Sequence, residues 1–229
     1  MDRSPTSGSQ VAIVSSRAPL EPTPPARAKT RLPGIFLVVA VILLIAYVTY
    51  NTATGEGGSS TGPAAGTAMV QFAAPLVDSS LQGDVNVTQR EAANDTLKAA
   101  CDLRGPAILN SCDLVRDQAA VLVFIDSGEG RCARTLDQVI RAAEKYPKLG
   151  VAAVVIAGER SQARALVASH GWRVPVAEDR DGALANLYGV AVCPQIVYLS
   201  AGGTVDAVGV GEVGADELNR RLRAIAGSG

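Results

Sequence analysis

The sequence predicts an α/β domain, a mixed sheet with helices on both faces, preceded by a single transmembrane helix. Three observations carry this expectation. Short β-rich apolar runs alternate with amphipathic stretches from residue 119 onward, an apolar run without a charge covers Ile35 to Val48, and all four cysteines (101, 112, 132 and 193) follow that run. The chain has 229 residues and a formal net charge of -1, a balance that gives no reason to expect nucleic-acid binding.

Residues 1–31 hold Arg3, Arg17, Arg27, Lys29 and Arg31 against only Asp2 and Glu21, within a background of Ser, Thr and Pro. Such a segment buries too little apolar surface to offset chain entropy, and a disordered basic tail is expected. Taken from Leu32 to Asn51, the apolar segment spans 20 residues. As a helix that is about 30 Å, the thickness of a bilayer core. Tyr47 and Tyr50 stand at one end, where aromatic rings suit the interface. Residues 32–51 are therefore read as an uncleaved signal anchor. Arg27, Lys29 and Arg31 flank its N-terminal side, so the positive-inside rule puts the N-terminus in the cytoplasm and the rest of this single-pass chain outside. The alternatives are a cleaved signal peptide, opposed by the long leading segment, and a buried core helix, opposed by the lack of neighbouring elements.

Residues 52–68 are rich in Gly, Ser and Thr and read as a flexible linker. An N-terminal extension, 69–118, follows. It carries strand-like fragments (MVQFAAPLV, DVNV) and a stretch of helix-forming composition from Gln89 to Cys101. Asn86-Val87-Thr88 and Asn94-Asp95-Thr96 match the N-glycosylation pattern. Cys101 and Cys112 flank DLRGPAILNS. A structural disulfide between them would close a short loop and stabilise by roughly 3 kcal/mol in the loop-entropy model; two buried thiols are the alternative. An oxidising compartment permits bridges, yet four cysteines allow three full pairings. The spacing is long and His170 is the only histidine, so no metal site is expected.

The domain over 119–229 reads more firmly. AAVLVFI suits a strand buried on both faces, DSGEG a turn, and Arg131 to Tyr146 a helix with Leu136, Val139, Ile140 and Ala143 on one stripe, stopped by Pro147. Val151 to Ala157 is a second buried strand, Glu159 to His170 a helix ended by Gly171, and Val174 to Val176 a short strand. Asp181 to Tyr188 is a short helix, Gln195 to Leu199 and Thr204 to Val210 are strands around the Gly202-Gly203 turn, and Ala215 to Ala226 is a final amphipathic helix. The order β-α-β-α-β-α-β-β-α gives parallel crossovers and then an antiparallel hairpin.

Four local features resemble thioredoxin-like redoxins of the AhpC/TSA and TlpA-like group. These are VLVFI with a cysteine at the next helix start, His170-Gly171-Trp172-Arg173-Val174-Pro175-Val176, the Asp179 to Val190 stretch against "D-x-D-G-x-x-A-x-x-Y-G-V", and Val192-Cys193-Pro194-Gln195-Ile196-Val197 against "V-P-x-x-x-x-I". The resemblance covers about residues 119 to 227 and implies a thioredoxin fold with Pro194 in cis, a conformation that X-Pro bonds tolerate. Members of this group read W-C-x-x-C after the first strand. Here Glu129 takes the place of the first cysteine and Cys132 that of the second.

The resemblance also implies that the residue before the cis-proline, Cys193, faces the active-site turn. Three chemistries follow. Cys132 and Cys193 could form a relocated redox pair, with Cys132 favoured as thiolate by a helix N-terminus and by Arg131 and Arg134, and disfavoured by Glu129. They could instead form an inert disulfide in a membrane-tethered binding or scaffold domain, worth about 4 kcal/mol in the loop-entropy model. Thirdly, Cys132 matches the cysteine of the peroxiredoxin "P-x-x-x-T-x-x-C" motif, although Ile125 and Glu129 replace its proline and threonine. The expected partners are the membrane, through one N-terminal helix, and protein thiols or disulfides; no cofactor is expected. His170 and Trp172 are read as a helix-end residue and a packing residue, and Asp179 and Asp181 as turn and cap groups.

Overall fold

A computed structural model describes residues 32–54, 62–89 and 98–227. The basic tail and most of the Gln89–Cys101 stretch lie outside the described residues. The chain divides into two units, Met1–Thr54 and Gly55–Gly229. In the first, α1 runs over Leu32–Thr54. Its described side chains, Phe36 to Tyr47, are all exposed. Among the described residues no helix is long and apolar enough to cross a membrane.

The second unit is built on a five-stranded sheet. Its strands are β3 (Ala120–Asp126), β4 (Gly150–Ala157), β5 (Val176–Glu178), β6 (Gln195–Leu199) and β7 (Val205–Val210), preceded in the chain by β1 (Ala73–Pro75) and β2 (Ile108–Asn110). The sheet order is β5-β4-β3-β6-β7. β3 and β4 pair in parallel, as do β4 and β5, whereas β6 is antiparallel to both β3 and β7. The helices are α2 (Ser111–Leu114), α3 (Gly130–Ala143), α4 (Arg160–His170), α5 (Ala183–Leu187) and α6 (Ala215–Ala226).

Period-two alternation on β3 divides the core. Val121, Val123 and Ile125 point to one face, where they pack with Cys132, Leu136 and Val139 of α3 and Leu218, Leu222 and Ile225 of α6. Ala120, Leu122 and Phe124 point to the other, against Leu184 of α5 and Tyr188. Residues 69–118, expected as an extension ahead of a domain starting at 119, supply Met69, Phe72, Ala74, Val85, Leu109 and Val115 to that second face. Phe72 and Phe124 flank Tyr188, with ring centroids 6.3 and 5.0 Å from it, and the Tyr188 hydroxyl donates to the Val70 carbonyl at 2.9 Å. Residues at the end of the stretch read as linker also lie along the sheet beside β7: Gly66 N–H donates to Val205 O, and Val205 N–H donates to Thr67 O.

Element bounds shift where local chemistry intervenes. Only Ala73–Pro75 of MVQFAAPLV is a strand, and DVNV contributes a single bridge, Asn86 to Ala73. β5 begins after Pro175, which has no N–H to donate but accepts from Ala153 N–H at 3.0 Å. α5 begins after Gly182, whose φ of 72° starts a turn. Asp179 holds that turn: its carboxylate accepts from Leu184 N–H at 3.0 Å and Ala185 N–H at 2.7 Å.

Candidate functional site

The site forms where β3 runs into α3. β3 ends at Asp126, and Ser127, Gly128 and Glu129 turn the chain so that α3 starts at Gly130 with Glu129 as its N-cap residue. Asp126 Oδ1 accepts from Gly128 N–H at 2.8 Å, and Cys132 N–H donates to Glu129 O at 2.9 Å. These short-range bonds fix the turn and put Cys132 at the third position of the helix. The Glu129 side chain is exposed and lies 3.8 Å from the Arg131 guanidinium.

The loop before β6 supplies the facing group. Cys193 and Pro194 are joined by a cis peptide bond, and the Pro194 carbonyl accepts from Gly211 N–H at 2.8 Å. A disulfide links Cys132 to Cys193, with Cα atoms 5.7 Å apart and a sequence separation of 61. The two halves differ in environment. Cys132 is 1% exposed and belongs to the core between sheet and helices. Cys193 is half-buried and follows exposed Ala191 and Val192. The main-chain N–H of Asp126 donates to Cys193 Sγ at 3.0 Å. That contact has no sequence signature, because any residue but proline at 126 would carry the donor.

Cys101 and Cys112 are also joined, with Cα atoms 5.5 Å apart, well away from this turn in the chain. Asn110 holds the same two ends. Its Nδ2 donates to Ala100 O and Leu103 O, while its Oδ1 accepts from Cys112 N–H and Asp113 N–H. The sequence offered no reason to single out Asn110.

His170 and Trp172 meet Asp137 of α3. His170 Nδ1 lies 2.9 Å from Asp137 Oδ2, and Trp172 Nε1 donates to Asp137 Oδ1 at 2.7 Å. The trio links the end of α4 to α3. Among the described residues no group of three His, Cys, Asp or Glu side chains could hold a metal ion. A cleft of about 470 Å³ opens beyond the C-terminal ends of β4 and β5, bordered by Gly158, Arg160, Glu178, Asp179 and Arg180. Burial pushes the Asp179 carboxyl above its ordinary range, against the lowering effect of the N–H groups it accepts. Arg160, in the same cleft, is ion-paired to Glu178 at 2.7 Å.

No family model and no curated protein matches the sequence. Solved structures do. One described as the thiol:disulfide interchange protein DsbE from Chlorobium tepidum superposes with a TM-score of 0.55 at 20% identity, covering 71% of this chain and 98% of the other. The structure of MTB dsbF in its mixed oxidized and reduced forms gives 0.52 at 20% identity, covering 68% and 96%. A thiol:disulfide interchange protein of the thioredoxin family from Chlorobium tepidum TLS gives 0.53 at 13% identity, covering 72% and 99%. At these identities the likeness establishes the architecture: a thioredoxin-like α/β fold with a mixed central sheet and flanking helices.

Proposed function

We propose that the chain performs thiol–disulfide exchange through Cys132 and Cys193, on the outer side of a membrane to which α1 tethers it. One observation carries the reading: the Cys132–Cys193 bond joins the first turn of a helix to a half-buried loop residue that leads into β6, beside the C-terminal end of β3. A structural bridge gains nothing from access, whereas exchange needs one sulfur within reach of an incoming thiolate. Solved structures of the same fold whose descriptions name disulfide interchange add support. Glu129 stands where the resembling family carries its first cysteine, so Cys193 would supply the second thiol.

The tether rests on α1. The helix holds no charged residue from Leu32 to Thr54, its side chains from Phe36 to Tyr47 are exposed on every side, and Arg27, Lys29 and Arg31 precede it. The described stretch Phe36 to Tyr47 is apolar on every side, which suits lipid, and the 20-residue span that would cross the bilayer is read from the sequence of 32–51.

A second reading is favoured by the burial of Cys132: an inert clamp between β3–α3 and β6 in a binding or scaffold domain. The same burial leaves little room for peroxide at Cys132. Titrating the full chain against defined dithiothreitol ratios separates the first two readings. A Cys132–Cys193 midpoint near about -200 mV supports exchange, and one below about -300 mV supports the clamp.

A further inference from the structure

We infer that Cys193, rather than the helix-borne Cys132, is the sulfur that a substrate thiol attacks, and that Cys132 is the leaving and resolving partner. The inference rests on the exchange reading above and assigns its polarity.

Access is the first ground. A thiolate must reach bonding distance of the sulfur it attacks. Cys132 retains 1% of its surface and sits among Ala133, Leu136 and the strands beneath. Cys193 is half-buried, and the residues before it are open: Val192 is 48% exposed. The second ground is the Asp126 N–H, which donates to Cys193 Sγ at 3.0 Å. A donor aimed at sulfur favours the thiolate over the thiol once the bond opens. The third ground is the position of Cys132 in the first turn of α3, a helix of 14 residues. The helix dipole stabilises negative charge there, and a stabilised thiolate leaves faster.

The step balances as follows. One thiolate of a substrate dithiol attacks Cys193 Sγ, forming a mixed disulfide. The Cys193–Cys132 bond breaks, and its electron pair goes to Cys132 Sγ, which leaves as thiolate. The second substrate thiolate then attacks the substrate sulfur of the mixed disulfide and expels the Cys193 thiolate. The substrate has lost two electrons and become a disulfide. The protein has gained them, and the two substrate protons pass to water or to the new thiolates. Run backwards, Cys193 attacks a substrate disulfide and Cys132 resolves the product.

The test uses the full chain in detergent micelles with glutathione disulfide as the probe. Reduced wild-type protein should re-form the Cys132–Cys193 bond; failure to do so overturns the exchange reading itself. Cys132→Ser and Cys193→Ser variants are then treated alike, and glutathione adducts are read by mass spectrometry. Cys193 in the first variant should be modified at least about tenfold faster than Cys132 in the second, following the difference in access. A substoichiometric iodoacetamide pulse on reduced wild-type protein, which needs no substitution, should mark Cys193 first. Cys132 reacting as fast or faster in either measurement overturns the polarity while leaving exchange intact.

Discussion

Arg160 and Glu178 form an ion pair at 2.7 Å with side chains only 15% and 13% exposed, and the same guanidinium donates to the carbonyl oxygens of Leu76 and Ser79. Arg164 donates to the Val77 and Ser79 carbonyls beside it. Two arginines of α4 thus clamp the chain that follows β1.

Arg160→Met should be strongly destabilising. It leaves Glu178 largely buried without its partner, a change that costs about 3–5 kcal/mol in buried pairs. It also strips donors from the 76–79 carbonyls. Urea unfolding of the variant should show the lowered midpoint, and limited proteolysis should show earlier cleavage near residue 79. An unchanged midpoint would mean the clamp contributes nothing.

The loop between Cys101 and Cys112 has two fasteners, the disulfide and Asn110. Replacing both cysteines by Ala should cost about 2–3 kcal/mol by the loop-entropy model. Asn110→Ala strands two carbonyls and two N–H groups around a residue 5% exposed, at a cost of about 1–3 kcal/mol. Because each fastener holds the ends when the other is lost, the combined variant should lose more than the sum. A double-mutant cycle measures this directly, and simple additivity would refute the redundancy.

Gly158 has a φ of 100°, and a Cβ there would overlap the Ser127 hydroxyl, which itself donates to Ala157 O at 3.0 Å. Gly158→Ala should destabilise by about 1–3 kcal/mol through backbone strain alone. It should also disturb the 126–129 turn, so the alkylation rate of reduced Cys193 should change with it. Adding Ser127→Ala removes the overlapping oxygen and should restore part of the lost melting temperature.

Tyr198 is 1% exposed, and its hydroxyl has no hydrogen-bond partner. Burial pushes its phenol up to about 12, with Arg221 pulling the other way. A raised folded value means that the native state holds the proton more tightly than the unfolded chain does. The associated stability is present below about pH 10 and is lost as the pH rises toward 12, on the order of 2–3 kcal/mol. Tyr198→Phe should be neutral or stabilising at pH 7, since no bond is broken. Relative to wild type it should lack that alkaline component, as denaturant titrations at pH 8 and 11.5 would show.

Much of the domain was legible because long elements declare their period. Gln195–Leu199 and Ala215–Ala226 fall on the residues read from alternation and amphipathic spacing. The 69–118 segment was not, because three-residue strands carry no period and the Phe72–Tyr188 contact joins residues 116 positions apart. The cysteine positions at a helix start and ahead of a proline could be read from motif likeness. Their unequal exposure could not, since it depends on how α3 and the loop before β6 pack. The Asp126 donor was invisible for a simpler reason: it is backbone.

The Cys132–Cys193 bond also limits how far the chain can be drawn out. It closes a loop with a sequence separation of 61, covering the rest of α3 and all of β4, α4, β5 and α5. At about 3.4 Å per extended residue, that is about 200 Å of contour length withheld from any force applied at the ends. An oxidised molecule under tension would stop short by that amount, and a reductant would release it in a single step.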